Sequence, residues 1–368
     1  MKRLPAGAWT LVARESGHAL LAPKPLRNQN QKGVAKAVPT GQALVIGPGG
    51  SASLIPTRSR GLFAGGANSQ PRVWSTQFMG RRVLFNPAGS APGMAGVSGR
   101  AGDYVFSADG TVWRMRSGAA PEKLVADSAP GFSRQELAAN PGFEADVDLI
   151  WAAAPVISPD GRFAAYVSNR EAIKAGSAGQ SVWMVDYESG HEQALLDQSG
   201  ENFTPLGWIG GELLFTSDRG GISAVDPVSG QVHEMSTGTL LAVDSAAGAA
   251  AVLEGNVPSN RRLVIVKDGT TTRVTRRGRL EYAGNAEFSP DGSRLAIVLS
   301  AMDGSKQVQV VEVATGKSQF LPLPSSRREV LSDPPRWVDD QTLLITTSSR
   351  RSGEERSSLL PVPASNAQ

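Results

Sequence analysis

Residues 157–170 read ISPDGRFAAYVSNR, and residues 288–300 read FSPDGSRLAIVLS. Each phrase joins an apolar residue to Ser-Pro-Asp-Gly, then a polar residue or two, then an apolar run. Pro presets φ for a turn corner, Asp bonds backbone two residues on, and Gly takes a positive φ. The phrase therefore reads as a strand end, a tight turn and a strand start. Ser158 and Ser289 lie 131 positions apart. That gap divides into three steps of about 44 residues, within the period of propeller blades.

A repeat of that period predicts degenerate copies between the two complete ones, and both are present. GWIGGELLFTSDRGGISAVDPVSGQVHEM runs from Gly207 to Met235, with Ile209-Gly210-Gly211 at the turn. LLAVDSAAGAAAVLEG, from Leu240, gives strand, small-residue turn and strand again. Each copy is followed by an apolar run, then Asp, Glu or Lys, a Gly-bearing turn and a second β-prone run. Examples are SVWMVDYESGHEQALL (181–196) and VQVVEVATGKSQFL (308–321). Two strands joined by such a turn form a hairpin, so each repeat holds four strands. A four-stranded sheet at this period is a propeller blade.

Further copies extend the count. RWVDDQTLLITTS starts at Arg336, with Asp339-Asp340 at its turn, and SSLLPVP supplies a third strand. RVWSTQFMGRRVLFN starts at Arg72, with DYVFSADGTVWRMRS (103–117) expected as its outer hairpin. In the least regular blade, 1–70, AWTLVARESGHALLAP, ALVIGPGG and SASLIPT read as four strands around a Lys/Gln/Asn-rich loop. Second strands near Leu20, Val83, Phe163, Leu213, Ala251, Leu295 and Leu343 give seven blades, with six as the runner-up. The expected fold is all-β: one propeller domain over 1–368, with its clearest repeats over 156–348. No fourth strand follows Pro361, so the N-terminal segment is expected to complete the last blade and remove an exposed edge.

Ser158-Pro159-Asp160-Gly161 and Ser289-Pro290-Asp291-Gly292 resemble the repeat of the TolB-like propellers, which carry this turn between first and second strands. The copies at Gly207, Leu240, Trp74 and Trp337 follow it in outline. The resemblance spans roughly residues 70 to 348 and implies architecture. Such propellers occur as binding proteins and as domains of peptidases and lyases, and the best-known member binds a peptidoglycan-associated lipoprotein. No interface residue carries over, because the motif is structural.

Composition narrows the chemistry. Of 368 residues 40% are hydrophobic and 19% charged, as in a folded globular protein, and 41 Gly with 24 Pro suit many turns. The formal net charge of +3 is spread along the chain, unlike the concentrated face of a nucleic-acid binder. The densest cluster, Arg273, Arg276, Arg277 and Arg279, reads as a solvated hairpin edge, with a polyanion site as the alternative. The absence of cysteine excludes disulfides, thiolate metal sites and cysteine nucleophiles. MKRLPAGAWTLVARES has an apolar stretch too short for a convincing leader. The default expectation is therefore cytoplasmic, or periplasmic or extracellular if a leader has been removed. No run is long enough to span a bilayer.

Several features invite a site and are better explained by backbone geometry. Asp160 or Asp291 as a calcium ligand would need six or more oxygens, and no dense Asp/Asn loop accompanies either. Gly47, Gly49 and Ala52 form a G-x-G-x-x-A string, but SLIPTRSRG follows where a dinucleotide site needs a helix. His191 and His233 each follow the Gly of a hairpin turn, on the outer rim, and His18 stands alone. No nucleophile elbow occurs, and GVSGR around Ser98 has the wrong spacing. Carboxylates remain: Asp339-Asp340, and Glu144, Asp146 and Asp148, with solvated turns as the plainer reading. Trp74, Trp208 and Trp337 recur at first strands, as core packing or as stacking platforms.

The sequence thus points to a non-catalytic propeller that binds a protein or peptide or acts as a scaffold. It is expected to be monomeric, with no catalytic, cofactor or metal residues assigned. The alternative is an enzyme with axial carboxylates acting on a carbohydrate or other polar substrate. The irregular segments 22–41, 86–102 and 126–153 are where the repeat is interrupted and function is expected to concentrate.

Overall fold

A computed structural model of the chain describes residues 2–24, 41–61, 72–85, 95–100, 103–108, 111–116, 121–125, 151–174, 179–196, 201–255, 261–267, 269–274, 281–301, 305–321, 323 and 329–363. Most of it is antiparallel strand, with one short α-helix at Arg170–Lys174 and a 3-10 turn at Pro48–Gly50 among the described residues. The strands sort into eight sheets among the described residues. Sheet 1 holds Trp9–Glu15, His18–Pro23, Gln42–Ile46 and Ala52–Pro56. Sheet 2 holds Arg58–Gly61, Arg72–Phe78 and Arg81–Phe85. Sheet 3 holds Ala95–Arg100, Asp103–Ala108, Thr111–Met115 and Glu122–Lys123.

Sheet 4 is Ala152–Ile157, Phe163–Ser168, Ser181–Asp186 and Glu192–Leu196. Sheet 5 is Phe203–Ile209, Glu212–Ser217, Ile222–Val225 and Val232–Ser236. Sheet 6 is Thr239–Asp244, Ala249–Glu254, Arg262–Lys267 and Thr270–Val274. Sheet 7 is Glu281–Phe288, Arg294–Ser300, Lys306–Glu312 and Ser318–Leu321. In each of these, sequence order is spatial order. Sheet 8 begins with Glu329–Leu331 and Arg336–Asp339, both paired with Thr342–Ser349, and continues to Glu355–Pro361. Its outermost strand is Lys2–Arg3, with Lys2 opposite Leu359 and Arg3 opposite Ser358. The N-terminal segment therefore completes the last sheet, as expected.

One assignment is corrected. Residues 103–115 do not form the outer hairpin of the Trp74 copy. They pair with Ala95–Arg100 in a sheet of their own, and Arg58–Gly61 pairs beside Arg72–Phe78. Ala-Gly-Val-Ser-Gly-Arg has too much glycine to read as a strand from propensity. Eight sheets consequently stand where the repeat count gives seven blades.

By contact the chain divides into two compact units. One comprises residues 1–60, 72–89 and 240–368 and carries sheets 1, 2, 6, 7 and 8; the other comprises 61–71 and 90–239 and carries sheets 3, 4 and 5. Within each unit the second strand of an inner sheet is buried on both faces. Strand side chains alternate sides with a period of two. In Arg294–Ser300, Leu295, Ile297 and Leu299 pack with Ala249, Ala251 and Leu253 of sheet 6. The intervening Ala296 and Val298 pack with Trp337, Leu343 and Ile345 of sheet 8.

Sheet 1 repeats this division. Ala19 and Leu21 meet Val338, Leu344 and Leu359 of sheet 8, while Leu20 and Ala22 meet Phe78 and Val83 of sheet 2. In the other unit, Ala164 and Tyr166 face sheet 3, and Ala165 and Val167 face sheet 5. Double-sided burial explains why these strands read as unbroken apolar runs rather than alternating patterns.

It also predicts that opposite changes of side-chain size at neighbouring positions both destabilise. Ile297→Ala should cost about 2–5 kcal/mol through a cavity toward sheet 6. Ala296→Leu should cost about 1–3 kcal/mol through overpacking toward sheet 8. Urea unfolding midpoints check both, and a neutral Ala296→Leu would mean that one face of the strand is open.

Candidate functional site

The two complete Ser-Pro-Asp-Gly turns are built alike. Ser158 Oγ donates to Asp160 Oδ1 at 2.6 Å and accepts the Phe163 N–H at 2.9 Å; the Arg162 N–H donates to Asp160 Oδ1 at 3.0 Å. Ser289 Oγ donates to Asp291 Oδ1 at 2.6 Å and accepts the Arg294 N–H at 2.9 Å; the Ser293 N–H donates to Asp291 Oδ1 at 3.0 Å. Gly161 and Gly292 have φ of 75° and 65°. At Gly292 even a Cβ would come within 2.3 Å of Ala247 Cβ. All four motif residues are engaged in shaping the turn, and the aspartates are turn acceptors.

The outer hairpins follow a second pattern. Asp186 Oδ1 accepts the N–H groups of Glu188 and Ser189, and Asp226 Oδ1 those of Val228 and Ser229. The Gly190 and Gly230 N–H groups return to the carbonyls of Asp186 and Asp226, each at 2.9 Å. Asp186 and Asp226 are thus Asx-turn residues. His191 is exposed just beyond one of these turns. His233, on the outermost strand of sheet 5, is half-exposed with Nδ1 3.6 Å from Glu212 Oε1. His18 Nδ1 lies 3.0 Å from the Ser16 carbonyl in its own hairpin.

The recurring tryptophans tie sheets together. Trp208 Nε1 donates to the Val156 carbonyl of sheet 4 at 3.1 Å, and Trp337 Nε1 to the Glu287 carbonyl of sheet 7 at 2.9 Å. Each acceptor lies two residues before the Ser of a Ser-Pro-Asp-Gly turn. Both indoles are almost wholly buried, which leaves no face for stacking a ligand. The Trp74 side chain lies outside the described residues, as do Glu144, Asp146, Asp148, Arg276, Arg277 and Arg279. Arg273 is exposed on the outermost strand of sheet 6, as a hairpin edge should be.

Asp339 and Asp340 are likewise spoken for. The Gln341 N–H donates to Asp339 Oδ1 at 2.8 Å, within the turn. Asp340 Oδ1 accepts the Asp291 N–H at 2.9 Å, a link from the turn of sheet 8 to that of sheet 7. Gly47, Gly49 and Ala52 lie in or beside a single 3-10 turn, Pro48–Gly50, between two antiparallel strands, where a dinucleotide site needs a full helix. Among the described residues, no three His, Asp or Glu side chains gather as a metal site.

One group falls outside these patterns. Glu287, last but one in the first strand of sheet 7, stands where the other complete copy has Val156. Arg14 Nη2, from the first strand of sheet 1, donates to Glu287 Oε1 at 2.8 Å. The Trp337 backbone N–H donates to Oε2 at 3.2 Å, and Arg336 Nε stands 3.7 Å from the same oxygen. Burial pushes the Glu287 carboxyl above its ordinary range, against the pull of Arg336 and Arg14. This cluster was not singled out from the sequence. The signal available was a lone acid in NAEF at a position that is apolar in the sister copy.

No protein-family profile matches the sequence, and no curated protein matches it. Solved structures do. An oligogalacturonate lyase in complex with manganese superposes with a TM-score of 0.52 at 13% identity, over 80% of this chain and 86% of that one. A prolyl endopeptidase, one of two analysed for inter-domain dynamics, superposes with a TM-score of 0.52 at 11% identity, over 93% of this chain and 54% of that one. The chain has a β-propeller fold. It spans about half the length of that peptidase, and at such identities the likeness concerns the fold alone. TolB from Acinetobacter baumannii aligns at 18% identity over 70% of this chain and 59% of that one, with a TM-score of 0.36, too loose a superposition to bear on function.

Two outcomes follow. Trp208→Phe and Trp337→Phe should each cost about 1–3 kcal/mol, because a partly buried carbonyl loses its donor; thermal or urea unfolding measures it. The turn carboxyls give a pH effect. Hydrogen bonds from Ser158 and the Arg162 N–H hold Asp160 below the usual carboxylate range. At Asp291 burial opposes the shift, but the Ser289 and Ser293 hydrogen bonds outweigh it, and its pKa is also lowered. A lowered carboxyl pKa contributes stability that is present above the unfolded-state value, about 4, and is lost as pH falls through the folded-state value. Unfolding free energy should therefore drop on acidification below about pH 4, and less steeply in an Asp160→Asn/Asp291→Asn double variant.

Proposed function

We propose that the chain is a single non-catalytic propeller domain of the TolB-like kind, joining both units, and that it binds a protein or peptide as a scaffold. The observation that carries this reading is what the recurrent polar and aromatic side chains do. Asp160, Asp291, Asp339, Asp340, Trp208 and Trp337 are all committed to turns and to contacts between sheets. A fold that invests its repeated chemistry in rigidity presents loops on a fixed frame, which favours recognition of a surface. The complete Ser-Pro-Asp-Gly turns support the family-level kinship.

Catalysis by carboxylates is the second reading, and Glu287 favours it, being a partly buried acid with a raised pKa beside two arginines. A raised carboxyl pKa is one mark of a general acid.

A paired measurement separates the two. The purified full chain, crosslinked in a lysate of its source cell, should give a protein adduct whose purified partner then forms a saturable complex by calorimetry. A panel of acidic and neutral oligosaccharides should meanwhile remain intact. Turnover of any of them that vanishes in Glu287→Gln would replace the binding reading with the enzymatic one.

A further inference from the structure

Three partly enclosed ion clusters among the described residues differ in their charge balance. Arg170 pairs with Glu192 at 2.6 Å; its side chain is 9% exposed and lies 4.3 Å from the Trp183 ring centroid. One cation meets one carboxylate there, and both are enclosed. Lys24, 13% exposed, sits between Asp333 at 2.5 Å and Glu355 at 3.4 Å. Cation is outnumbered there by acid. At Glu287 the balance reverses: one carboxylate, 14% exposed, stands between Arg14 and Arg336, which are 31% and 51% exposed.

A guanidinium has five N–H donors and no acceptor. Glu287 Oε1 takes one of them from Arg14 at hydrogen-bond distance, while Arg336 stands beyond it at 3.7 Å. The other oxygen, Oε2, is also held by the Trp337 N–H. The carboxylate thus holds two guanidiniums, and the three side chains together carry a net charge of +1 with donors on an accessible surface. The turn acids Asp340 and Asp339 aim Oδ1 at the backbone N–H groups of Asp291 and Gln341, so neither is bonded through that oxygen to either guanidinium.

We propose that Arg14 and Arg336 form a binding site for a carboxylate group, with Glu287 as the residue that positions them. The site lies beside the turns joining first and second strands of sheets 1, 7 and 8. A monoanion would bring the cluster to neutrality. A phosphate dianion would leave net negative charge against the Glu287 carboxylate, so the charge count favours the carboxylate. Paired arginine forks suit its planar geometry.

The inference stands apart from the protein-binding reading, since the carboxylate could belong to a peptide or to a free acid. The test follows the Arg Nε–H resonances of the full chain by NMR during titration with four probes. These are sodium acetate, N-acetyl-tetra-alanine with a free C-terminus, the same peptide as its C-terminal amide, and sodium phosphate. Saturable shifts confined to Arg14 and Arg336 are expected with acetate or the free-acid peptide and not with the amide. Arg336→Ala and Arg14→Ala should each weaken that binding about tenfold or more, as loss of a charge-assisted contact implies.

Response to acetate alone supports the carboxylate site while counting against a peptide partner there. Silence of both resonances with acetate and free-acid peptide overturns the proposal. So does a preference for phosphate, or undiminished binding by a folded Arg336→Ala variant. Should the variants not fold, the wild-type titration still decides.

Discussion

A strand buried on both faces has to be filled on both faces, and that requirement organises this molecule. In sheets 1, 4 and 7 the second strand gives one set of alternating side chains to one neighbouring sheet and the other set to another. Leu295, Ile297 and Leu299 look one way, and Ala296 and Val298 the other. Since neither face reaches water, the sheet cannot stop alone and must be followed by another. The last sheet meets the same demand by taking Lys2–Arg3 as its outermost strand and packing Val338, Leu344 and Leu359 against sheet 1. Repetition in the sequence is the trace of this stacking rule.

Polar groups then fix what apolar packing leaves loose. A sheet sliding past its neighbour would keep most of its burial, because dispersion and hydrophobic contact are non-directional. The indole N–H bonds from Trp208 to Val156 and from Trp337 to Glu287 are directional, and they set the register between adjacent first strands. The Asp340 to Asp291 link does the same between adjacent turns. The Ser-Pro-Asp-Gly phrase belongs to this frame, for its serine and aspartate close the turn that presents the acceptor strand.

Much of the frame was legible because it rests on local rules. Turn chemistry follows from residue types at short spacing, the period of 44 from repetition of those turns, and the completion of the last sheet from the want of a fourth strand after Pro361. Sheet 1, the least regular stretch of sequence, folded as read, with its long insertion falling between its second and third strands. Residues 95–100 were missed because a strand held by its neighbours needs no strong propensity of its own. The Glu287 cluster was missed for a different reason. Its members are 273 and 49 positions apart along the chain, and no local rule brings Arg14, Glu287 and Arg336 together. Only the stacking of sheets 7, 8 and 1 does so. The segments 22–41, 86–102 and 126–153, where function was expected, lie for the most part outside the described residues.

The repeated residues serve the frame, and the indole hydrogens report on it directly. Hydrogen exchange of the tryptophan Nε1–H groups, followed by NMR on the native protein, distinguishes a buried bonded indole from a free one. Trp208 and Trp337 should exchange orders of magnitude more slowly than an indole in water, because release requires separation of two sheets. Exchange of both at the rate of a solvent-exposed indole would contradict the account, since those side chains would then be available for a ligand rather than holding the sheets in register.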